Sequence, residues 1–344
     1  GIDLGTTYSA IAYINEFGKP EIIPNEEQSM ITPSVVYFEG SRIIVGEDAR
    51  NMAVVEPSKV VEYVKRQMGK TRDEWYFEHG GKEYNAAEIS SLILSKLKRD
   101  AEKTLGVTVR DAVITVPAYF NESQREATVE AGRLAKLNVL RIINEPTAAA
   151  LAYGVHKIGS NKNVFVFDLG GGTFDVTVMK IEGKHIQMLA TNGDHMLGGK
   201  DWDDEIIKYV SGQFQTKFGI DPLDDIQAYQ DIQSRAVQAK IALSSIPKAN
   251  IICNYASKSL KIEFTKEILE RITANLVDRC KTLVEIVLDE AKLNSSSIDT
   301  VLLVGGSTRM PMIKEKLRKL FGKEPDASVN PDECVAIGAA IQGA

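Results

Sequence analysis

One short pattern occurs twice in this chain. Ile2-Asp3-Leu4-Gly5-Thr6-Thr7 recurs, close to half the chain later, as Phe167-Asp168-Leu169-Gly170-Gly171-Gly172-Thr173. A β-rich run follows each copy, at residues 8–14 and 174–181, so each reads as strand, Gly/Thr turn, strand. A polyphosphate gripped between two such turns needs backbone N–H donors at close range, and glycine lets the backbone approach. Thr6, Thr7 and Thr173 add hydroxyls. Asp3 and Asp168 cannot bind phosphate directly. Their carboxylates suit Mg²⁺, which takes carboxylate, water and phosphate oxygens in octahedral geometry. Either turn alone is most often only a turn; the pair, with Asp at the same place, favours the phosphate reading.

A third element is Gly305-Gly306-Ser307-Thr308-Arg309, where a strand ends and a helix opens. Two bare glycines there allow a flat ligand or a phosphate to approach a helix N-terminus. A plain strand-to-helix turn explains the same residues, and in isolation the two readings stand even. Gly69-Lys70-Thr71 imitates the end of a P-loop, but Val64 occupies the place of its first glycine, so that motif is excluded.

The 344 residues are 44% hydrophobic and 26% charged, ordinary globular composition that a length prior divides into two domains. The net charge of −6 gives no basic face for nucleic acid. Cys253, Cys280 and Cys334 lie far apart without CxxC spacing, so a reducing cytoplasm fits better than a disulfide framework. His79, His156, His185 and His195 form no HExxH pattern. No apolar run is long enough to span a bilayer, no signal peptide is visible, and the chain begins inside a strand without Met.

The elements needed to hold these loops follow from periodicity. Strands are expected near 34–38 and 42–45, a helix near Ala86–Leu105, and a strand over Asp111–Val116 closed by Pro117. Asn121 with Gln124 three residues on reads as a capping box for a helix running to about Leu137. A strand over 139–143 leads into Asn144-Glu145-Pro146-Thr147 and a small-residue helix over 148–153. The polar segment 156–163 marks a lobe boundary. Beyond it come a mostly helical insert over 199–245, a strand pair near 251–255 and 260–264, and one long helix from about Thr265. In that helix Ile268, Ile272, Leu276, Cys280, Leu283, Val287 and Ala291 make one stripe. A strand over Thr300–Val304 and a helix from near Met310 complete an alternation that indicates α/β lobes.

Six stretches together resemble the DnaK-type seventy-kilodalton heat-shock chaperones. They are residues 1–8, Val116-Pro117-Ala118-Tyr119-Phe120-Asn121, residues 142–150, residues 168–175, residues 303–311 and Asn330-Pro331-Asp332-Glu333. They span the whole chain in order. The resemblance implies the actin/hexokinase-like α/β ATPase fold: two lobes, each a β-sheet flanked by helices, forming four subdomains around a central nucleotide cleft. Lobe I is expected at 1–157, with a peripheral subdomain at about 32–85. Lobe II is expected at 158–344, with its peripheral subdomain at about 199–275. A short segment after Gly69 marks a bacterial-type relative.

The same resemblance implies roles. Asp3, Glu145 and Asp168 would surround Mg²⁺, largely through water. Gly5, Thr6, Thr7, Tyr8, Gly170, Gly171, Gly172 and Thr173 would cradle ATP or ADP phosphates, with Gly198 and Gly199 close by. Lys65 looks like the family's catalytic lysine, whose charge would stabilise the transferring γ-phosphoryl group. Asp168 would accept the proton, and Thr173 and Asp175 would place water and a monovalent cation, K⁺. Lys240, Ser244, Gly305, Gly306, Ser307, Arg309 and Asp332 would contact the adenosine, Arg309 by stacking.

Departures mark a divergent paralogue. Val237 stands where the family has a ribose-binding Glu, His195-Met196 alters a loop near the nucleotide, Lys200 replaces Glu and Cys334 replaces Ala. The implied partners are a J-domain co-chaperone acting at a surface that includes Arg141, a nucleotide exchange factor, and unfolded client polypeptides. Clients would bind through a peptide-binding domain that these residues do not include. No nucleic-acid or membrane partner is implied, and a cytoplasmic monomer is expected. Pro117, Arg125 and Glu145 match positions proposed to relay the nucleotide state to the surface. Two other readings use the same fold: a small-molecule kinase and a filament-forming cytoskeletal protein.

Overall fold

The structure is a computed structural model that describes residues 1–155, 161–183 and 185–344. Of the segment expected to divide the lobes, residues 156–160 lie outside the described residues.

Two sheets organise the chain, and each is built around one of the twin motifs. In the first, the order is Asn138–Asn144, Asp111–Val116, Ile2–Asp3, Tyr8–Ile14 and Pro20–Ile22, with Thr32–Pro33 also against Tyr8–Ile14. In the second it is His185–Asp194, Phe174–Glu182, Lys162–Leu169 and Thr300–Val304. The echo goes deeper than the turns. Each aspartate-bearing strand pairs antiparallel with the strand after its turn, Asp3 opposite Ala10 and Asp168 opposite Asp175. Each pairs parallel on its other edge, Ile2 with Ile114 and Phe167 with Leu303. Val164, Phe165, Val166 and Phe167 are at most 1% exposed. Continuous apolar strands of this kind suit a sheet covered on both faces.

Helix ends follow their caps. The helix Ala86–Leu105 starts in a capping box between Asn85 and Glu88 and stops at Gly106, whose φ is 69°. It buries Ile89, Ile93, Leu94, Leu97 and Ala101 on one face. The Asn121 box with Gln124 is present, but its helix is Glu122–Leu134, shorter than expected. Lys136 takes a left-handed φ of 58°, and Leu137 N–H turns back to the Gly132 carbonyl at 3.0 Å. The helical insert is Gly199–Phe218 and Ile226–Ala242.

The single long helix expected from Thr265 is two, Lys266–Ile272 and Ala274–Glu290. Thr273, with φ −113° and ψ 11°, breaks the ladder while its hydroxyl donates to the Leu269 carbonyl at 2.7 Å. The helix expected near Met310 is Pro311–Phe321, entered through a 3₁₀ turn at Gly306–Arg309.

Two helices join the sheets. Glu145–Val155 contacts strands of both. Cys334–Gly343, last in sequence, packs on Glu145–Val155 and on the first sheet. Ala148, Ala149 and Ala152 of the first helix share one buried cluster with Cys334, Val335 and Ala339 of the last. A Cβ on Gly338 would lie 1.8 Å from the Ala148 carbonyl oxygen, so only glycine permits this approach. All three cysteines are buried and free. Among the described residues, no helix is long and apolar enough to cross a membrane.

Candidate nucleotide site

Between the sheets lies a cleft of about 690 Å³, a size that suits a small-molecule ligand. Both aspartate turns open into it. They also touch: a Cβ on Gly171 would fall 1.5 Å from Thr7 Oγ1, and one on Gly172 would fall 2.2 Å from Thr6 Cγ2. The third Gly-rich element joins them. Ser307 Oγ donates to the Gly170 carbonyl at 2.9 Å, and Gly305, at φ 83°, passes so close that a Cβ would sit 2.4 Å from the Leu169 carbonyl oxygen.

Most of the expected residues line this one cavity: Asp3, Gly5, Thr6, Thr7, Tyr8, Lys65, Glu145, Asp168, Gly170, Gly171, Thr173, Gly199, Lys240, Ser244, Gly305, Gly306, Ser307, Arg309 and Asp332. Three do not. Gly172 faces Thr6, Gly198 packs on the backbone of Gly171 and Gly172, and Asp175 sits behind the wall, accepting the Tyr119 N–H at 3.2 Å.

The floor of the cleft is acidic around one cation. Lys65 rides a 3₁₀ turn, Val64–Gln67, that follows Tyr63 in a left-handed conformation. Its side chain is 6% exposed, and Nζ donates to Glu145 Oε1 at 2.7 Å. Burial disfavours the ammonium, but Glu145 and then Asp3 outweigh it, so the Lys65 pKa is raised and the charge is held. Burial, with Glu145 adding repulsion, pushes Asp3 up to about 7 and Asp175 up to about 7. Asp168 is pushed well up for the same two reasons. This is a site short of positive charge.

Two buried polar atoms, Asp168 Oδ2 and Thr7 Oγ1, have no partner among the described residues. Such atoms ordinarily have a partner, so a ligand between the turns fits them. The donor set fits Mg²⁺ bound mainly through water. Among the described residues no three His, Cys, Asp or Glu side chains converge closely enough to ligate a metal directly.

On the far wall, Lys240 pairs with Asp203 at 2.8 Å and donates to the Gly199 carbonyl at 2.8 Å. Val237 and Ser244 lie on the same wall. Arg309 is held at the rim, its Nη2 2.6 Å from Asp332 Oδ2, which fixes the plane of its guanidinium. The His195 ring packs at a tilt against Tyr119 and Phe120, with centroids at 5.1 and 5.8 Å, linking the end of the second sheet to the loop after Asp111–Val116. Arg125 donates to the Phe120 and Ala118 carbonyls and to Asn144, bracing the two strands that lead into the cleft.

Sequence reasoning missed several residues here. Arg66 and Asp201 meet across the cleft at 2.5 Å, and Asp203 partners Lys240. Gln233 reaches Tyr63 Oη at 3.2 Å. Spacing marks none of the partners, since each pair is far apart in sequence. The one legible signal was Asp201 three residues after Gly198, a helix-start pattern that the structure uses to bond Gly198 N–H at 2.7 Å.

Comparison with known proteins decides the family. The family profile described as "Hsp70 protein" matches residues 1–344. The chain belongs to the Hsp70 family. Its fold is that family's actin/hexokinase-like ATPase fold. It is 47% identical to "Chaperone protein DnaK" of Thermotoga neapolitana over 100% of this chain and 59% of that protein. The same protein of Thermosipho melanesiensis is 46% identical, over 100% of this chain and 58% of its own length. Thermotoga maritima DnaK is 47% identical over the same share of the chain. The chain thus spans less than two thirds of the curated relatives it matches.

Proposed function

We propose that this chain is the nucleotide switch of a molecular chaperone, binding ATP and hydrolysing it to ADP and phosphate. The observation that carries the reading is the buried Lys65–Glu145 pair, set among Asp3, Asp168 and Asp175 where the two twin turns meet. A cation so placed lies where a terminal phosphate would sit between those turns. The family match adds no support for the small-molecule kinase alternative or for a cytoskeletal filament.

In this reading the triphosphate lies on the backbone of Gly5–Thr7, Gly170, Gly171 and Thr173, whose N–H groups and hydroxyls hold it. Asp3, Glu145 and Asp168 would hold Mg²⁺ through water, and the ion would neutralise phosphate charge. Lys65 offsets charge that develops on the γ-phosphoryl oxygens. Asp168 accepts the proton of the attacking water. Thr173 would help place that water and a K⁺ ion, with Asp175 acting from behind the cleft wall. Lys240, Ser244, Gly306, Arg309 and Asp332 take the adenosine. Residues 1–157 and 158–344 form the two lobes, and ATP binding draws them together.

A peptide-binding domain, J-domain co-chaperone, exchange factor and unfolded clients complete the proposed cycle, in the cytoplasm. Arg141, exposed on the outermost strand of the first sheet, is the proposed co-chaperone contact.

Lys65→Ala tests the site. It should bind Mg²⁺-ATP but lose single-turnover hydrolysis by roughly a hundredfold or more. Full hydrolysis by that variant would remove Lys65 from catalysis.

A further inference from the structure

Lys65 and Arg66 are adjacent, yet their side chains leave the 3₁₀ turn in different directions. Lys65 bonds Glu145. Arg66 crosses to the other side of the cleft, where Nε donates to the Gly172 carbonyl at 2.8 Å and Nη2 to Asp201 Oδ2 at 2.5 Å. Its side chain is 6% exposed. Asp201 is also the residue that accepts the Gly198 N–H, at the start of the helix Gly199–Phe218. We propose that Arg66 is a positioning residue, fixing the distance between Lys65 and the second phosphate turn on which hydrolysis depends.

Three observations carry this. The bonds land on the phosphate turn itself and on the helix start beside it. That landing point is rigid: a Cβ on Gly172 would strike Thr6, and one on Gly198 would lie 2.5 Å from the Gly172 nitrogen. A tie at Gly172 therefore moves the whole turn. The bonds are also charge-assisted and shielded from water, unlike an exposed ion pair of small worth. Finally, the guanidinium donates from Nε and Nη2 in one fixed plane, a geometry that a lysine ammonium on its flexible stem does not reproduce. Reaction rates are steep in the placement of reacting groups, so a turn that drifts carries Lys65 out of range.

The inference rests on the ATPase reading, and the test separates the two. Single-turnover hydrolysis of bound ATP and release of a fluorescent ADP are measured for the wild type, Arg66→Lys, Arg66→Met, Asp201→Asn and Arg66→Met/Asp201→Asn. Arg66→Met should hydrolyse roughly tenfold slower or worse and release ADP faster. Arg66→Lys should not restore the rate. Asp201→Asn should move both rates the same way by less, and the double variant should be no slower than Arg66→Met, because both act through one connection.

A purely structural role would lower the melting temperature while the folded fraction hydrolysed normally. That result, a rate for Arg66→Met within about twofold of wild type, or additive losses in the double variant would overturn the proposal. Should Arg66→Met fail to fold, the isosteric Asp201→Asn decides alone: unchanged rates overturn it. A wild-type chain that hydrolyses no ATP would overturn the ATPase reading first.

Discussion

Buried carboxylates give the site its clearest residue-scale consequence. Asp175 has an ordinary value of 3.8 and is raised to about 7 in the fold, chiefly by burial. Between those values the folded chain holds a proton that the unfolded chain has released. Stability from this group is therefore fully present below about pH 4 and is lost as pH rises through 7. The slope is up to about 1.4 kcal/mol per pH unit. Asp175→Asn removes the titration, so nucleotide-free variant and wild type should differ in the pH dependence of their unfolding free energy between pH 4 and 7. The variant should show the shallower fall, measured by denaturant unfolding across that range; parallel curves would rule the idea out.

At this scale the sequence was half legible. The repeated Asp-Leu-Gly turns marked Asp3, Asp168 and the glycines by pattern alone. Lys65 carries no such mark: one lysine among the 41 Lys and Arg residues stands out only through resemblance. Arg66 is invisible even beside it, since its meaning lies in partners more than a hundred positions away.

The helix Ala86–Leu105 was legible from its apolar spacing, and a cap that the spacing does not reveal sets its start. Asn85 accepts the Glu88 N–H at 2.9 Å, and Glu88 answers at the Asn85 N–H at 2.8 Å. Asn85→Ala should cost about 1 kcal/mol of unfolding free energy while leaving single-turnover hydrolysis unchanged, because that helix end lies away from the cleft lining. An unchanged denaturation midpoint would show that the cap is worth nothing here.

The failures have equally local causes. Apolar periodicity reports which face is buried, and a one-residue break at Thr273 leaves Ile272 and Leu276 on the same face. The stripe therefore ran on through a real interruption. The overlong helix after Asn121 arose because its stop uses Lys136 in the conformation that glycine usually takes, so no breaker was visible.

At the scale of the molecule, the order of the chain and the order of the fold part company. The last helix returns to the first sheet, and nothing in its small apolar residues announces that destination. Gly338→Val probes it. Any Cβ there meets the Ala148 backbone, so the two helices must separate. The variant should lose about 1–3 kcal/mol or more of unfolding free energy, and its affinity for ADP should change although no cleft residue was touched. Wild-type values for both would mean that the contact is not a structural joint.

The alanine and glycine faces of that joint have a mechanical meaning. Large side chains interlock like gear teeth, and sliding one helix past another then demands a change of rotamers. Where Gly338 meets Ala148 the abutting surfaces are nearly toothless, backbone close to backbone. A shift along that stretch would have to unlock no long side chain, so the relative angle of the two sheets should depend on whatever grips them at the opposite end.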